Sequence, residues 1–446
     1  TLFPYTTLFR FLSAGDEHRR RRIHRQGYRR QTPCKQPSVL VTELLDYCES
    51  AFLIPGADPD DEVAQRAAIR QHLIREQALV PYDARYFRGD NPLSYAAEWS
   101  HALPGDTQIP RFFAAPLPLP DEWQQQPELE LADLLRFFRH PVAGFFERRL
   151  RVQFRSQEEA QAEDEPFAAD ALESYLLKQS LLEARLQAPD GQALAQLKSR
   201  LRLSGQLPVG AFGELLLESS EAGIAPLCEA LQPLLSAEPQ RQLVQLHFPQ
   251  LCLPSVEPGV TSQGWLLGSV AGIHQRCLIR YRPGAFAIPQ LLRAWIEHLA
   301  WCASTGERPQ ASQLLGLQDR WLLAPLSAES ARGYLADLMG AYLVGLTRPL
   351  PLLLRVGWVW LQQAGALGKG PQGERLWQRS EDPQRLAIAA QKMQQQFEGD
   401  SFNPGEVEDV YIRRVFPRWD AQLQHEVSEW SERLLAPLYA HLEAES

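Results

Sequence analysis

The sequence predicts an α/β protein rich in helices, and three stretches carry that prediction. Leu131, Leu134, Leu135 and Phe138 fall on one helical face, Pro141 then opens a second helix burying Val142, Phe145 and Phe146, and Leu150, Val152 and Phe154 alternate with Arg149, Arg151, Gln153 and Arg155. A helix pair thus feeds a strand-like period of two. Further on, Gly264-Trp-Leu-Leu-Gly-Ser-Val-Ala-Gly272 and Arg276-Cys-Leu-Ile-Arg-Tyr-Arg282 read as two strands joined by a short turn. Long amphipathic helices follow on either side.

Taken in order, Val39 to Phe52 has Leu40, Leu44, Leu45, Cys48 and Phe52 spaced for one buried helical face, and Asp58 to Gln77 reads as a charged, exposed helix. Gly89-Asp-Asn-Pro92 signals a turn. Pro116-Leu-Pro-Leu-Pro120 and the Gln124 to Pro127 run are expected to be a linker, so the main boundary falls near residue 122. Glu158 to Glu165 reads as a solvated acidic loop. Asp170 with Glu173 has capping-box spacing, and Leu172, Tyr175, Leu176, Leu182 and Leu186 continue it as a helix. More helices are expected across Ala225 to Leu235, Pro289 to Ser304, Ser327 to Leu346, Arg385 to Glu398 and Trp419 to Leu442, with a mobile loop at Gly365 to Gly373.

With 446 residues and 45% hydrophobic content the chain can bury a sizeable core, divided among two or three domains. No apolar run reaches the length a membrane helix needs. The first residue is Thr and the only methionines are Met339 and Met393, so the chain is expected to be a fragment of a longer protein. Residues 1–36 differ from all that follows, carrying eight Arg and Lys35 against Asp16 and Glu17. They read either as a basic nucleic-acid-binding arm or as non-native sequence; the adaptor-like Thr1 to Arg10 favours the second. Because that segment has a local charge of +7, the remainder carries −16 where the whole chain carries −9. Such a body does not attract DNA as a whole; phosphate contacts need local arginine clusters, and partner proteins are expected. The cysteines at 34, 48, 228, 252, 277 and 302 lack C-x-x-C spacing and read as reduced thiols of a cytoplasmic protein.

The two-stranded stretch has the pattern of a PD-(D/E)xK nuclease metal site without the residues that bind metal. Such a site needs an Asp on the first strand and an Asp or Glu two residues before a Lys on the second, since Mg²⁺ takes carboxylate oxygens. Here Leu267 stands where the first Asp is expected, and Arg280 and Arg282 flank Tyr281 where Asp-x-Lys is expected. The five lysines, 35, 178, 198, 369 and 392, follow Pro33, Leu176, Gln196, Leu367 and Ala390 at that spacing, so the chain contains no (D/E)xK. Pro59-Asp60, Pro120-Asp121 and Pro189-Asp190 sit in turn contexts. No metal ligands and no catalytic residues are therefore assigned. The Gly365 to Gly370 stretch lacks the first Gly and the Ser/Thr of a phosphate loop. His140 and His298 read as structural histidines. One basic cluster stands out in the acidic body: Arg136, Arg139, His140, Arg148, Arg149, Arg151 and Arg155, with Arg136 and Arg139 one turn apart. Together with Arg280 and Arg282, arginines 136, 139, 148, 149 and 151 are the candidate nucleic-acid-binding residues.

Leu134 to Phe154, Leu207-Pro-Val-Gly-Ala-Phe-Gly-Glu214, Trp295 to Ser304 and the hairpin with Arg280-Tyr281-Arg282 resemble the C-terminal region of the RecC family, the gamma subunits of exodeoxyribonuclease V; Ser38 to Tyr47 and Ser94 to Trp99 resemble the sequence just upstream. The resemblance runs from Pro37 to the C-terminus. It implies residues 37–122 as the helical end of an inactive helicase-like region plus linker, and residues 123–446 as a catalytically inactive nuclease-like domain. It also implies RecB-like and RecD-like partner subunits that use the ATP and Mg²⁺, and contact with double-stranded DNA ends and single strands during resection for recombination. No cofactor is implied for this chain. Two other readings compete: a protein-binding module without DNA contact, and a Mg²⁺-dependent nuclease with displaced ligands such as Asp190 or Glu214.

Overall fold

The computed structural model describes residues 38–55, 61–74, 83, 86–87, 112–113, 115–119, 123, 128–154, 169–188, 191–205, 207–252, 261–306, 311–370, 374–400 and 403–445. The expectations for residues 1–36, Gly89 to Pro92, Ser94 to Trp99, Arg155, the 158–165 loop and the three Pro-Asp pairs lie outside these. The chain divides into two compact units, residues 1–108 and residues 109–446.

In the first unit, helix α1 (Val39–Ala51) starts at Ser38, whose hydroxyl accepts from the Val41 amide at 3.4 Å. Helix α2 (Glu62–Leu73) is capped by Asp61, which accepts from the Val63 and Ala64 amides at 3.1 and 3.0 Å. Glu49 and Arg70 tie the pair together. The helix over Val39 to Phe52 is as the spacing predicts, but its apolar stripe is not buried: Leu40, Leu44 and Phe52 are exposed. Backbone hydrogen bonds and caps form a helix whether or not its apolar face finds a partner.

The second unit is mixed α/β. Strand β1 (Glu128–Glu130) leads into helix α3 (Leu131–Arg139), helix α4 (Pro141–Gly144) and a π-helical turn over Phe145–Leu150. The strand predicted for Leu150 to Phe154 does not form. Arg151 adopts a left-handed conformation (φ 55°) and closes the π-turn onto the Phe146 carbonyl, after which Phe154 turns inward against Phe146 and Tyr411 at 5.3 and 5.1 Å between ring centroids. Helices α5 (Ala171–Gln187), α6 (Gln192–Leu203) and α7 (Ala211–Leu234) form a smaller cluster together with Cys277, Ile279 and Leu315. Both capping-box bonds at Asp170 and Glu173 are made, at 2.7 and 3.0 Å. Helix α7 starts fourteen residues before the predicted Ala225, as its range shows.

Strands β2 (Gln240–Cys252), β3 (Thr261–His274) and β4 (Cys277–Tyr281) come next, then helix α8 (Ile288–Ser304) and strands β5 (Ser312–Leu315) and β6 (Arg320–Leu323). β3 and β4 are the predicted hairpin. Ile273 pairs with Leu278 and His274 with Cys277 around Gln275 and Arg276, both at positive φ (48° and 66°), the conformation of a two-residue type I′ turn. β2, which the sequence reading did not place, runs antiparallel along β3, while β1 pairs parallel with Trp265 to Leu267 and β4 pairs antiparallel with the C-terminal end of β3. β4 pairs parallel with β5, and β6 carries the sheet on to β9 (Leu442–Ala444).

Helix α8 is the hub, with Leu291, Leu292 and every residue from Ala294 to Ala303 buried. It is apolar nearly all round, as a helix enclosed on every side must be. Helix α9 (Ala328–Thr347), helix α10 (Leu354–Ala364) and helix α11 (Pro383–Glu398) complete the layer around it. The predicted mobile loop at Gly365 to Gly373 is instead largely a hairpin, β7 (Gly365–Lys369) with β8 (Arg375–Arg379). Its glycines give room rather than looseness: a Cβ on Gly365 would lie 2.3 Å from the Trp377 ring. The single helix expected across Trp419 to Leu442 divides into α13 (Ala421–Leu434) and α14 (Ala436–His441), after the short α12 (Val410–Val415). The Pro-rich run also touches this core, since Leu119 is buried and the Leu117 amide donates to the Thr347 carbonyl at 2.8 Å. Among the described residues no helix is long and apolar enough to cross a membrane.

His298 lies fully buried in α8. Its Nε2–H donates to the Ala324 carbonyl at 3.0 Å and its Nδ1 accepts from the Ser312 hydroxyl at 2.6 Å. Burial pushes its pKa from 6.5 down to about 4. Since the unfolded chain then takes up a proton first, the stabilisation is complete above about pH 6.5 and is lost as pH falls towards 4. Between those limits the wild type should lose about 3 kcal/mol more than His298→Gln, measured by urea unfolding across pH; parallel curves would contradict this.

Candidate functional site

A cavity of about 210 Å³ opens beside β4, lined by Tyr175, Arg280, Tyr281, Arg282, Phe286, Gln290, Arg293, Ala294 and Glu297. Strand β4 delivers Arg280 and Tyr281, the segment after it delivers Arg282 and Phe286, and residues 290, 293, 294 and 297 come from one face of α8. Two of the predicted site residues, Arg280 and Arg282, therefore meet here. Leu267 does not line the cavity; it sits half-buried on β3, paired with Glu130 of β1 and Gln245 of β2.

Arg280 is held by three oxygens. Its Nε donates to Glu297 Oε2 at 2.6 Å, and its Nη1 donates to the Ala271 and Ile279 carbonyls at 3.0 and 2.9 Å. A carboxylate and two carbonyls are the oxygen set that hard cations take, and here a guanidinium fills it. Glu297 is 8% exposed and also has Arg293 Nε at 3.4 Å. The approach depends on Gly272 (φ 74°), where a Cβ would lie 2.8 Å from Arg280 Nη1. Three of the five N–H donors of Arg280 are thus committed inside the protein.

Arg282 is placed differently. Its amide donates to the Leu315 carbonyl at 3.1 Å and its guanidinium lies over the Tyr175 ring at 5.2 Å. Its Nε is buried without a hydrogen-bond partner, and so is Gln290 Oε1 in the same cavity. Arg293 stands at the rim, 65% exposed. Tyr281 is held neutral, its hydroxyl pKa raised by burial and by Glu183 against the opposing pull of Arg280.

The other basic cluster separates into internal and outward members. Arg148 pairs with Asp133, and Arg149 Nη2 donates to the Pro118 carbonyl at 2.8 Å. Arg136 is exposed with Asp133 at 3.7 Å, while Arg139 and Arg151 are exposed. His140 is structural: its Nδ1 accepts from the Ala143 amide at 3.1 Å, capping α4, and its Nε2 meets Asp409 Oδ2 at 3.1 Å. For Asp409, burial raises the pKa, but the His140 bond and the Ile412 and Tyr411 amides outweigh it, leaving it below the usual carboxylate range.

Among the described residues no group of three or more His, Cys, Asp or Glu converges as a metal cluster. Glu214 is engaged by Arg202 at 2.7 and 2.8 Å. Cys48, Cys228, Cys277 and Cys302 are free thiols, and burial pushes the Cys302 thiol up to about 11. The sequence reading missed Tyr175, Gln290, Arg293 and Glu297. The available signal was a carboxylate inside the apolar Trp295 to Ser304 helix, which needs a buried cation beside it.

The fold and site together define a mixed α/β domain with a cationic cavity at its hairpin. Residues 126–365, more than half of the chain, match the RecC C-terminal domain model. The chain belongs to the RecC family. It is similar to the RecBCD enzyme subunit RecC of Escherichia coli, 30% identical over 409 residues that cover 90% of this chain and 33% of the relative. It is likewise similar to the proteins of that name from Mycolicibacterium smegmatis (27% over 343 residues, 74% and 28%) and Buchnera aphidicola of Acyrthosiphon pisum (22% over 312 residues, 70% and 27%). The chain spans about a third of the length of these curated relatives.

Removing Arg280 leaves a buried carboxylate without its main counter-charge, so Arg280→Ala should cost about 3 kcal/mol of stability, and the double variant with Glu297→Gln should recover most of it. Urea unfolding of the four-member cycle checks this; additive losses would contradict the pairing.

Proposed function

We propose that this chain is the C-terminal part of the gamma subunit of an exodeoxyribonuclease V, acting as a non-catalytic scaffold and DNA guide while a double-strand break is unwound and resected for recombination. The observation that carries the reading is Arg280, whose guanidinium fills an oxygen cradle at the hairpin where a PD-(D/E)xK enzyme would need a cation. On this reading residues 123–446 are a degenerate nuclease fold, residues 37–122 are the end of a helicase-like region with its linker, and residues 1–36 are foreign to the protein. RecB-like and RecD-like subunits then supply motor, nuclease, ATP and Mg²⁺ in the cytoplasm. The relatives are named as subunits of an enzyme, which supports such partners.

The DNA-facing residues divide by availability. Arg139 and Arg151 are exposed to meet phosphate, Arg136 is exposed beside Asp133 and Arg282 lines the cavity, while Arg280, Arg148 and Arg149 act mainly through the surfaces they hold in place. A second reading, a protein-docking module, is favoured by the exposed Leu203, Val209, Phe212 and Leu215 around the turn between α6 and α7. Crosslinking to forked DNA separates the two.

In the assembled complex, Arg136→Ala with Arg139→Ala should weaken binding to a forked duplex and reduce the magnitude of the salt slope by about 1 to 2, as expected for one or two lost phosphate contacts. The chain alone, titrated with Mg²⁺, should leave linear duplex intact. Unchanged fork affinity across salt would remove the guide role, and magnesium-dependent degradation would remove the non-catalytic one.

A further inference from the structure

We infer that the cavity beside β4 seats a single unstacked base of a single-stranded nucleic acid, with the adjoining phosphate against Arg293. The inference rests on the DNA-guide reading and adds a site and a recognition chemistry to it. Arg282 and Gln290 line this cavity, and Arg282 Nε and Gln290 Oε1 are buried with no partner. One is a donor and the other an acceptor, so a bare anion satisfies only the first. Leaving both unmet is costly, and a ligand offering an acceptor and a donor on one edge satisfies both. Tyr175, Tyr281 and Phe286 supply apolar walls, and the cavity's volume of about 210 Å³ is on the scale of one base.

Charge narrows the choice further. Glu297 is already matched by Arg280, so Arg282 over Tyr175 and Arg293 at the rim give the mouth a net positive character. A nucleotide combines the three required parts: a hydrogen-bonding edge, a flat apolar body and a negative charge one bond system away. An acidic peptide supplies the edge and the charge without the flat body. Stacking on aromatic and guanidinium faces tolerates every base, so the site grips strand without reading sequence.

The test uses the full chain and two twelve-nucleotide probes, labelled oligo(dT) and an abasic oligomer of equal length, followed by fluorescence anisotropy. The wild type should prefer oligo(dT) by about tenfold. Arg282→Ala and Gln290→Leu should each bind oligo(dT) no better than the abasic probe, whereas Arg293→Ala should weaken both probes alike. A measurement free of variants is the fluorescence of a single 2-aminopurine in the oligomer, which should be quenched on binding. Equal wild-type affinity for both probes, an intact preference in Gln290→Leu, unquenched 2-aminopurine, or displacement by poly-glutamate ahead of oligo(dT) would overturn the inference while leaving a phosphate-only guide standing. Failure of the wild type to bind either probe would sink the DNA-guide reading along with it.

Discussion

The arrangement of the hairpin face depends on one buried ion pair. Glu297 lies in a helix enclosed by apolar residues, where an unmatched carboxylate would be severely penalised by the loss of water. Arg280 reaches it from the neighbouring strand and also donates to two backbone carbonyls. The contact joins β4 to α8 beside the cavity, whose other cations are Arg282 over Tyr175 and Arg293 at the rim. The tethered guanidinium matches the single negative charge of Glu297 and takes up the oxygens around it.

The surrounding core holds that pair in register. Phe137 fits between Gly144 and Gly345, where a Cβ on either would come within 2.5 Å of its ring, so α3, α4 and α9 are locked at close approach. Gly268 (φ 150°) does the same on β3, where a Cβ would meet Leu131 at 2.9 Å. These contacts bring β1 beside β3 and set α3 against the hub helix. Each fully buried Leu or Phe along that interface contributes about 1.5 to 3 kcal/mol, so the hairpin is carried by a rigid layer rather than by a loop.

Sequence periodicity made much of this legible. The hairpin, the capping box at Asp170 and the helices over 288–304, 328–347 and 383–398 follow from alternation, cap residues and proline placement. The strand expected at Leu150 to Phe154 did not follow, because alternating Arg and apolar residues suit an irregular segment whose aromatic end turns inward equally well. β2 was missed although Val244, Leu246 and Phe248 alternate with polar residues and Ser236 and Pro239 stand just before its start. At the site, Arg280 and Arg282 were visible as arginines in a hairpin, but their different fates were not. Those fates are set by Glu297, Tyr175 and Gln290, which are near in space and distant in sequence. Leu267 parted from the pair because β3 pairs with β4 at Ile273 and His274, whereas at Leu267 it pairs with β1 and β2.

The proposal that the Arg280 guanidinium fills a cation's place is checked by titrating Mn²⁺ into the wild-type chain and into Glu297→Gln and following free metal by electron paramagnetic resonance. Indistinguishable titrations are expected, because the Glu297 carboxylate is already occupied by Arg280. Saturable Mn²⁺ binding in the wild type that disappears in Glu297→Gln would contradict it.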